Sequence, residues 1–125
     1  MNRKLRDLWV ADLRAHPELQ GHGRLCTAND KFCCLGRLLE VASEAGLMPE
    51  GTDWNGRTFT YPPRSPANRT SAWAVAGYFG LDKENPKPED PSKTLEDYLI
   101  TLNDTFNWSF ASIADWIEGN VPVED

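Results

Sequence analysis

Lys31-Phe32-Cys33-Cys34-Leu35-Gly36-Arg37-Leu38-Leu39 is the stretch that decides the fold. Two adjacent cysteines enter an apolar stripe at helical spacing, directly after the polar turn Ala28-Asn29-Asp30. Leu35, Leu38, Leu39 and Ala42 stand at i, i+3, i+4 and i+7, which marks one buried helix face, and Gly46 is placed to terminate it. The spacing predicts a central core helix from Cys34 onward. Just upstream, Leu25-Cys26-Thr27 and Lys31-Phe32-Cys33 flank the Asn-Asp turn, whose residues tolerate positive φ, so a hairpin is expected there.

Working outward, Leu5, Leu8, Trp9 and Leu13 recur at three- and four-residue steps, with Asn2 as N-cap and Pro17 ending the run, giving a helix over about 3–15. Thr52 to Tyr61 combines the turn former Asn55-Gly56 with Thr-rich and aromatic alternation, the pattern of a short hairpin or extended segment. Pro62, Pro63 and Pro66 end any strand. Residues 71–79 are apolar on nearly every side, and Gly80-Leu81 resembles a helix C-terminus with Leu81 folded back. Residues 82–92 hold three prolines and no apolar side chain, which predicts a surface loop. Leu95, Tyr98, Leu99 and Leu102 restore the stripe, closed by Asn103. Ser109 caps a last helix with Phe110, Ile113, Ala114 and Ile117 on one face, stopped by Gly119. The expected class is mainly α (α+β): one compact domain over residues 1–125, with four or five helices and a small β-hairpin.

Composition narrows the function classes. The chain has 125 residues, 40% hydrophobic and 26% charged, ordinary for a soluble domain, and no apolar run approaches the roughly 20 residues that span a bilayer. The basic start Met1 to Arg6 leads into no continuous apolar region, so no secretory signal is read and a cytoplasmic address is expected. Three cysteines cannot form a fully paired disulfide framework and fit reduced thiols. The net charge of −6 is uneven: ten Lys and Arg against eight acids over residues 1–80, but three Lys against eleven acids over residues 81–125. An acidic C-terminal third repels nucleic acid and attracts basic partners. Ordinary solvation accounts for the same charges.

Gln20-Gly21-His22-Gly23-Arg24-Leu25, Phe32-Cys33-Cys34-Leu35-Gly36, Gly80-Leu81 and the ending Leu102-Asn103-Asp104 followed by Ser109-Phe110-Ala111-Ser112-Ile113-Ala114-Asp115 resemble a group of small uncharacterised proteins common in phages and prophages. The resemblance runs over most of the chain but leaves out 47–70 and 82–94. It implies a phage or mobile-element accessory protein with no assigned reaction, cytoplasmic in an infected or lysogenic bacterium. It transfers no catalytic residue. Such accessory proteins often bind host machinery, including defence systems, and that analogy adds a host protein as the expected partner.

The residues themselves offer four chemistries. Cys33 or Cys34, at a turn-to-helix junction, gains from the helix dipole, which favours thiolate, with His22 as candidate base. Both histidines precede the cysteines, the reverse of the papain-like order, and small soft cysteines also pack well in a core. His22, Cys26, Cys33 and Cys34 offer four zinc-ligand types, but adjacent helical cysteines point about 100° apart and no Cys-x-x-Cys is present, so no metal site or cofactor is expected. Nucleotide chemistry lacks a phosphate-loop motif. Gly21-His22-Gly23-Arg24 with Arg24, Arg37 and the aromatic Trp54 supplies the alternative reading, a sponge for a signalling nucleotide. The fourth chemistry is protein docking through an acidic surface of Asp97, Asp104, Asp115 and Glu118, with Trp108 as anchor if its loop exposes it. The sequence gives no oligomeric state. Binding and inhibition or redirection of a host factor is the function expected, ahead of enzymatic activity.

Overall fold

The computed structural model describes residues 1–61, 75–83 and 94–124. Among these, five α-helices run in the order α1 Arg3–Ala15, α2 Cys34–Glu44, α3 Ala76–Phe79, α4 Leu95–Asp104 and α5 Phe110–Asn120. One antiparallel pair, β1 Asp53–Trp54 and β2 Phe59–Thr60, lies between α2 and α3, so the mainly helical α+β class is the one found.

Local chemistry explains the helix ends. Asn2 accepts from the Leu5 N–H at 2.9 Å, Thr94 from Asp97 at 3.1 Å and Ser109 from Ser112 at 3.1 Å, each satisfying an amide that the first turn leaves open. Gly46, at φ +69°, ends α2 as expected, and the Leu47 N–H closes on the Ala42 carbonyl at 2.8 Å. Two expected stops move. Asn103 does not close α4. It lies fully buried inside the helix, and the chain turns at Asn107, whose φ is +53°. Gly119 sits within α5, which runs on to Asn120 and yields to the extended Val121 before Pro122.

Helix α1 packs against both α2 and α5, while α2 also meets α4 and the β-pair. Two helical neighbours bury a wide arc centred on Trp9, taking in Leu5, Leu13 and, on one shoulder, Val10. Leu8, on the other shoulder, is 38% exposed, contrary to its place in the expected stripe. Arg37 on α2 makes a two-point ion pair with Asp12 on α1, at 2.8 Å and 2.7 Å, and lies 4.8 Å from the Phe32 ring centroid. The expected hairpin at 25–33 is reduced to a turn with one bridge, Cys26 to Phe32, and Asp30 at φ +58°. The regular pair forms instead at 53–60, where Gly56 takes φ +95° and Asn55 Oδ1 accepts from the Arg57 and Thr58 amides.

In the second half, Gly80 at φ +76° turns the chain after α3, and Leu81 is fully buried, its carbonyl accepting from the Glu96 N–H at 3.0 Å. Residues 71–74, including Trp73, lie outside the described residues, as do Pro62, Pro63, Pro66 and most of the expected 82–92 loop. Among the described residues, no helix is long and apolar enough to cross a membrane.

Candidate functional site

Three of the segments quoted above, residues 20–25, 32–36 and 102–104, meet at one place. The Gly21 N–H donates to the Phe32 carbonyl at 2.7 Å and the Phe32 N–H to the Leu19 carbonyl at 2.7 Å, so the Gly-His-Gly connector lies against the segment that enters α2. Gly36 completes that contact. A Cβ there would overlap the Leu25 carbonyl oxygen and stand 2.8 Å from its carbon, so only glycine lets the connector lie on α2. From α4, the buried Asn103 Nδ2 donates to the Gly21 carbonyl at 2.9 Å and to Asp104 Oδ1 at 2.7 Å. Gln20 Nε2 then donates to Asn103 Oδ1 at 3.1 Å and to the Trp108 carbonyl at 2.7 Å.

The result is a braced corner. Trp108 has its carbonyl held by Gln20, and its N–H donates to Leu102 at 2.9 Å, while its neighbour Phe106 donates to Thr101 at 3.0 Å. The backbone of the α4–α5 link is therefore fixed, yet its two large aromatics face solvent: Phe106 is 53% exposed and Trp108 36%. Beside them lies a groove of about 460 Å³ lined by Trp108, Ser112, Asp115 and Trp116. Trp116 forms its buried wall, 5.0 Å from the Tyr98 ring centroid, and its Nε1 has no hydrogen-bond partner among the described residues. Of the expected acidic surface, Asp97, Asp115 and Glu118 are exposed and Asp104 is half-buried. Arg14 reaches across from α1 to Asp115 at 2.8 Å and Glu118 at 3.2 Å, and these carboxylates, Glu118 first, hold its guanidinium above its ordinary pKa. Sequence reading singled out Trp108 and Asp115 but missed Phe106, Ser112 and Trp116 as companions. The spacing 108, 112, 115 and 116, which continues one helical face back through the cap, was the available signal.

The other candidates are placed elsewhere. Cys33 and Cys34 are buried, and Cys34 sits under Trp9, whose indole donates to the Cys34 carbonyl at 2.8 Å. The expected dipole effect is outweighed. Burial pushes the Cys33 thiol up to about 12 although the Gly36 and Leu35 amides favour thiolate, and burial pushes Cys34 well above its ordinary value. Cys26 is raised too, by burial first, with Arg57 opposing. His22 is exposed, and no hydrogen bond joins a histidine to a cysteine among the described residues. No group of three or more His, Cys, Asp or Glu among them is arranged to hold a metal. Arg24 is exposed, whereas Arg37 is held by Asp12 and the buried Trp54 donates to Glu40 at 3.0 Å.

The residues that meet at this corner run from Leu19 to Trp108. A profile described as "Domain of unknown function (DUF8296)" matches residues 1–121. The chain belongs to this family. No curated protein matches the chain, and no solved structure matches it.

Proposed function

We propose that this chain is a binding module of a phage or mobile element that docks on a host protein through the Phe106–Trp108 corner and the acidic face of α5, and so inhibits or redirects that protein. One observation carries the reading: large aromatics stand in solvent on a backbone pinned from Gln20 and Asn103. Ordering costs on binding fall when an anchor is already fixed, and tryptophan is among the residue types most enriched in such anchors. Leaving Phe106 and Trp108 in water has no benefit for the fold, since neither contributes to the core. The acidic C-terminal third favours a partner with a basic surface and speeds its approach at low salt. A host defence protein with a nucleic-acid channel has such a surface.

The nucleotide-sponge reading has less support, because Arg37 and Trp54 are taken up by Asp12 and Glu40. A thiol enzyme has less still, with both cysteines of the pair buried. The test is comparative capture from host lysate by the tagged chain and by Trp108→Ala, followed by an activity assay of the captured protein. A partner held in stoichiometric amount by the wild type and lost by the variant supports the reading. Capture that is indifferent to Trp108 overturns it.

A further inference from the structure

We propose that the groove beside Trp108 receives an arginine side chain presented by the partner, an inference that rests on the docking reading above. Its lining has two kinds of surface. Trp108 and Trp116 give indole walls, and Asp115 and Ser112 give oxygen acceptors. Guanidinium suits both at once, lying flat on an indole face while its fork meets a carboxylate.

The acceptors are open for this. Asp115 has a side chain 74% exposed, and Arg14 takes only its Oδ1. Its Oδ2 has no hydrogen bond among the described residues. The molecule already uses guanidinium and carboxylate chemistry on this helix, since Arg14 lies between Asp115 and Glu118. Ser112 and Ser109 share a hydroxyl contact at 3.1 Å, which leaves the Ser112 oxygen a lone pair to offer. Charge sets the sign of the occupant, because Asp115 and Glu118 bring two carboxylates to this face against the single guanidinium of Arg14. The apolar walls then select arginine over lysine. An ammonium keeps its water more tightly and cannot stack, whereas a guanidinium is weakly hydrated and planar.

The test uses the full chain labelled with ¹⁵N, reading the tryptophan indole N–H signals while acetyl-arginine amide is added, with acetyl-lysine amide and acetyl-norleucine amide as comparators. The expected result is a saturable shift of the Trp108 and Trp116 signals with arginine, still Trp9 and Trp54 signals, and a weaker response to both comparators. Asp115→Asn should weaken the arginine response by about fivefold, the upper range for an exposed ion pair. Absence of a saturable shift overturns the proposal, as does an equal response to lysine or norleucine. The two readings fail separately. Partner capture that needs Trp108, with indoles unmoved by arginine, removes the arginine site and keeps docking. Arginine binding with partner capture indifferent to Trp108 removes docking and keeps the site.

Discussion

Replacing Gly36 by alanine should destabilise the chain strongly, although alanine is the better helix former. In the third position of α2, the new methyl would overlap the Leu25 carbonyl oxygen and stand 2.8 Å from its carbon and 3.3 Å from its Cα. All three are backbone atoms of a fully buried residue, so no side-chain rotation relieves the overlap. Carbon contacts are comfortable at about 3.5–4.0 Å, so connector and helix must part by roughly an ångström. Overpacking of this kind costs about 1–3 kcal/mol and more where the backbone must move. Separation also strains the Cys33 to Arg24 and Gly21 to Phe32 hydrogen bonds that cross the contact. Alanine returns about 1 kcal/mol of helix propensity. The net expectation is a loss of about 2–3 kcal/mol, equivalent to roughly 10 °C in Tm for a domain of this size. Gly119→Ala is the internal control. It adds the same methyl to α5 with no atom within 4 Å. A gain of about 0.5 kcal/mol is expected near that helix end. Urea and thermal unfolding of both variants measure the contrast. A Gly36→Ala variant as stable as wild type would refute the close approach of connector and helix.

Asn103→Ala leaves the Gly21 carbonyl without its partner and takes from Gln20 one of its two acceptors. The loss in urea unfolding should be about 2 kcal/mol, the cost of stranding buried polar groups. It should also loosen the Trp108 corner, read as a sharper indole signal and weaker partner capture. Asp12→Ala removes the partner of a nearly buried guanidinium, and a loss of about 2–3 kcal/mol is expected; a smaller further loss in Asp12→Ala/Arg37→Ala than in either single change shows the coupling. The raised thiols predict alkaline instability. An unfolded cysteine ionises near pH 9 while Cys33 holds its proton to about 12, so the unfolded state binds fewer protons in that window and stability falls as pH rises through it. Cys33→Ala should flatten that fall by up to about 1.4 kcal/mol per pH unit, and native thiols should react with an aromatic disulfide only as fast as the chain opens.

Most helices were legible because capping and periodicity act over a few residues: Asn2, Ser109 and Gly46 do what their chemistry predicts. Errors came where a distant partner decides. Asn103 reads as a helix stop, but its amide serves the connector some eighty residues away, and this outweighs the local preference for a cap. Leu8 follows the stripe of α1, yet the two helices packed on α1 favour Val10 on the other shoulder. The pair at Cys33-Cys34 drew attention as chemistry, and the helix N-terminus does favour thiolate there, but total burial has the larger effect. Trp108 was legible as an exposed aromatic because it falls in a polar link outside every stripe. Phe106 lies in the same link and carried the same signal. The groove was not legible, since it depends on how deeply Trp116 sits beneath the α5 surface.

The corner as a docking anchor is tested most directly by capture of the host partner on equal amounts of folded wild type and Trp108→Ala, at low and at high salt. Full capture by the wild type, weakened by salt and lost with Trp108, is the predicted result. A partner bound equally by both proteins, at either salt concentration, contradicts it.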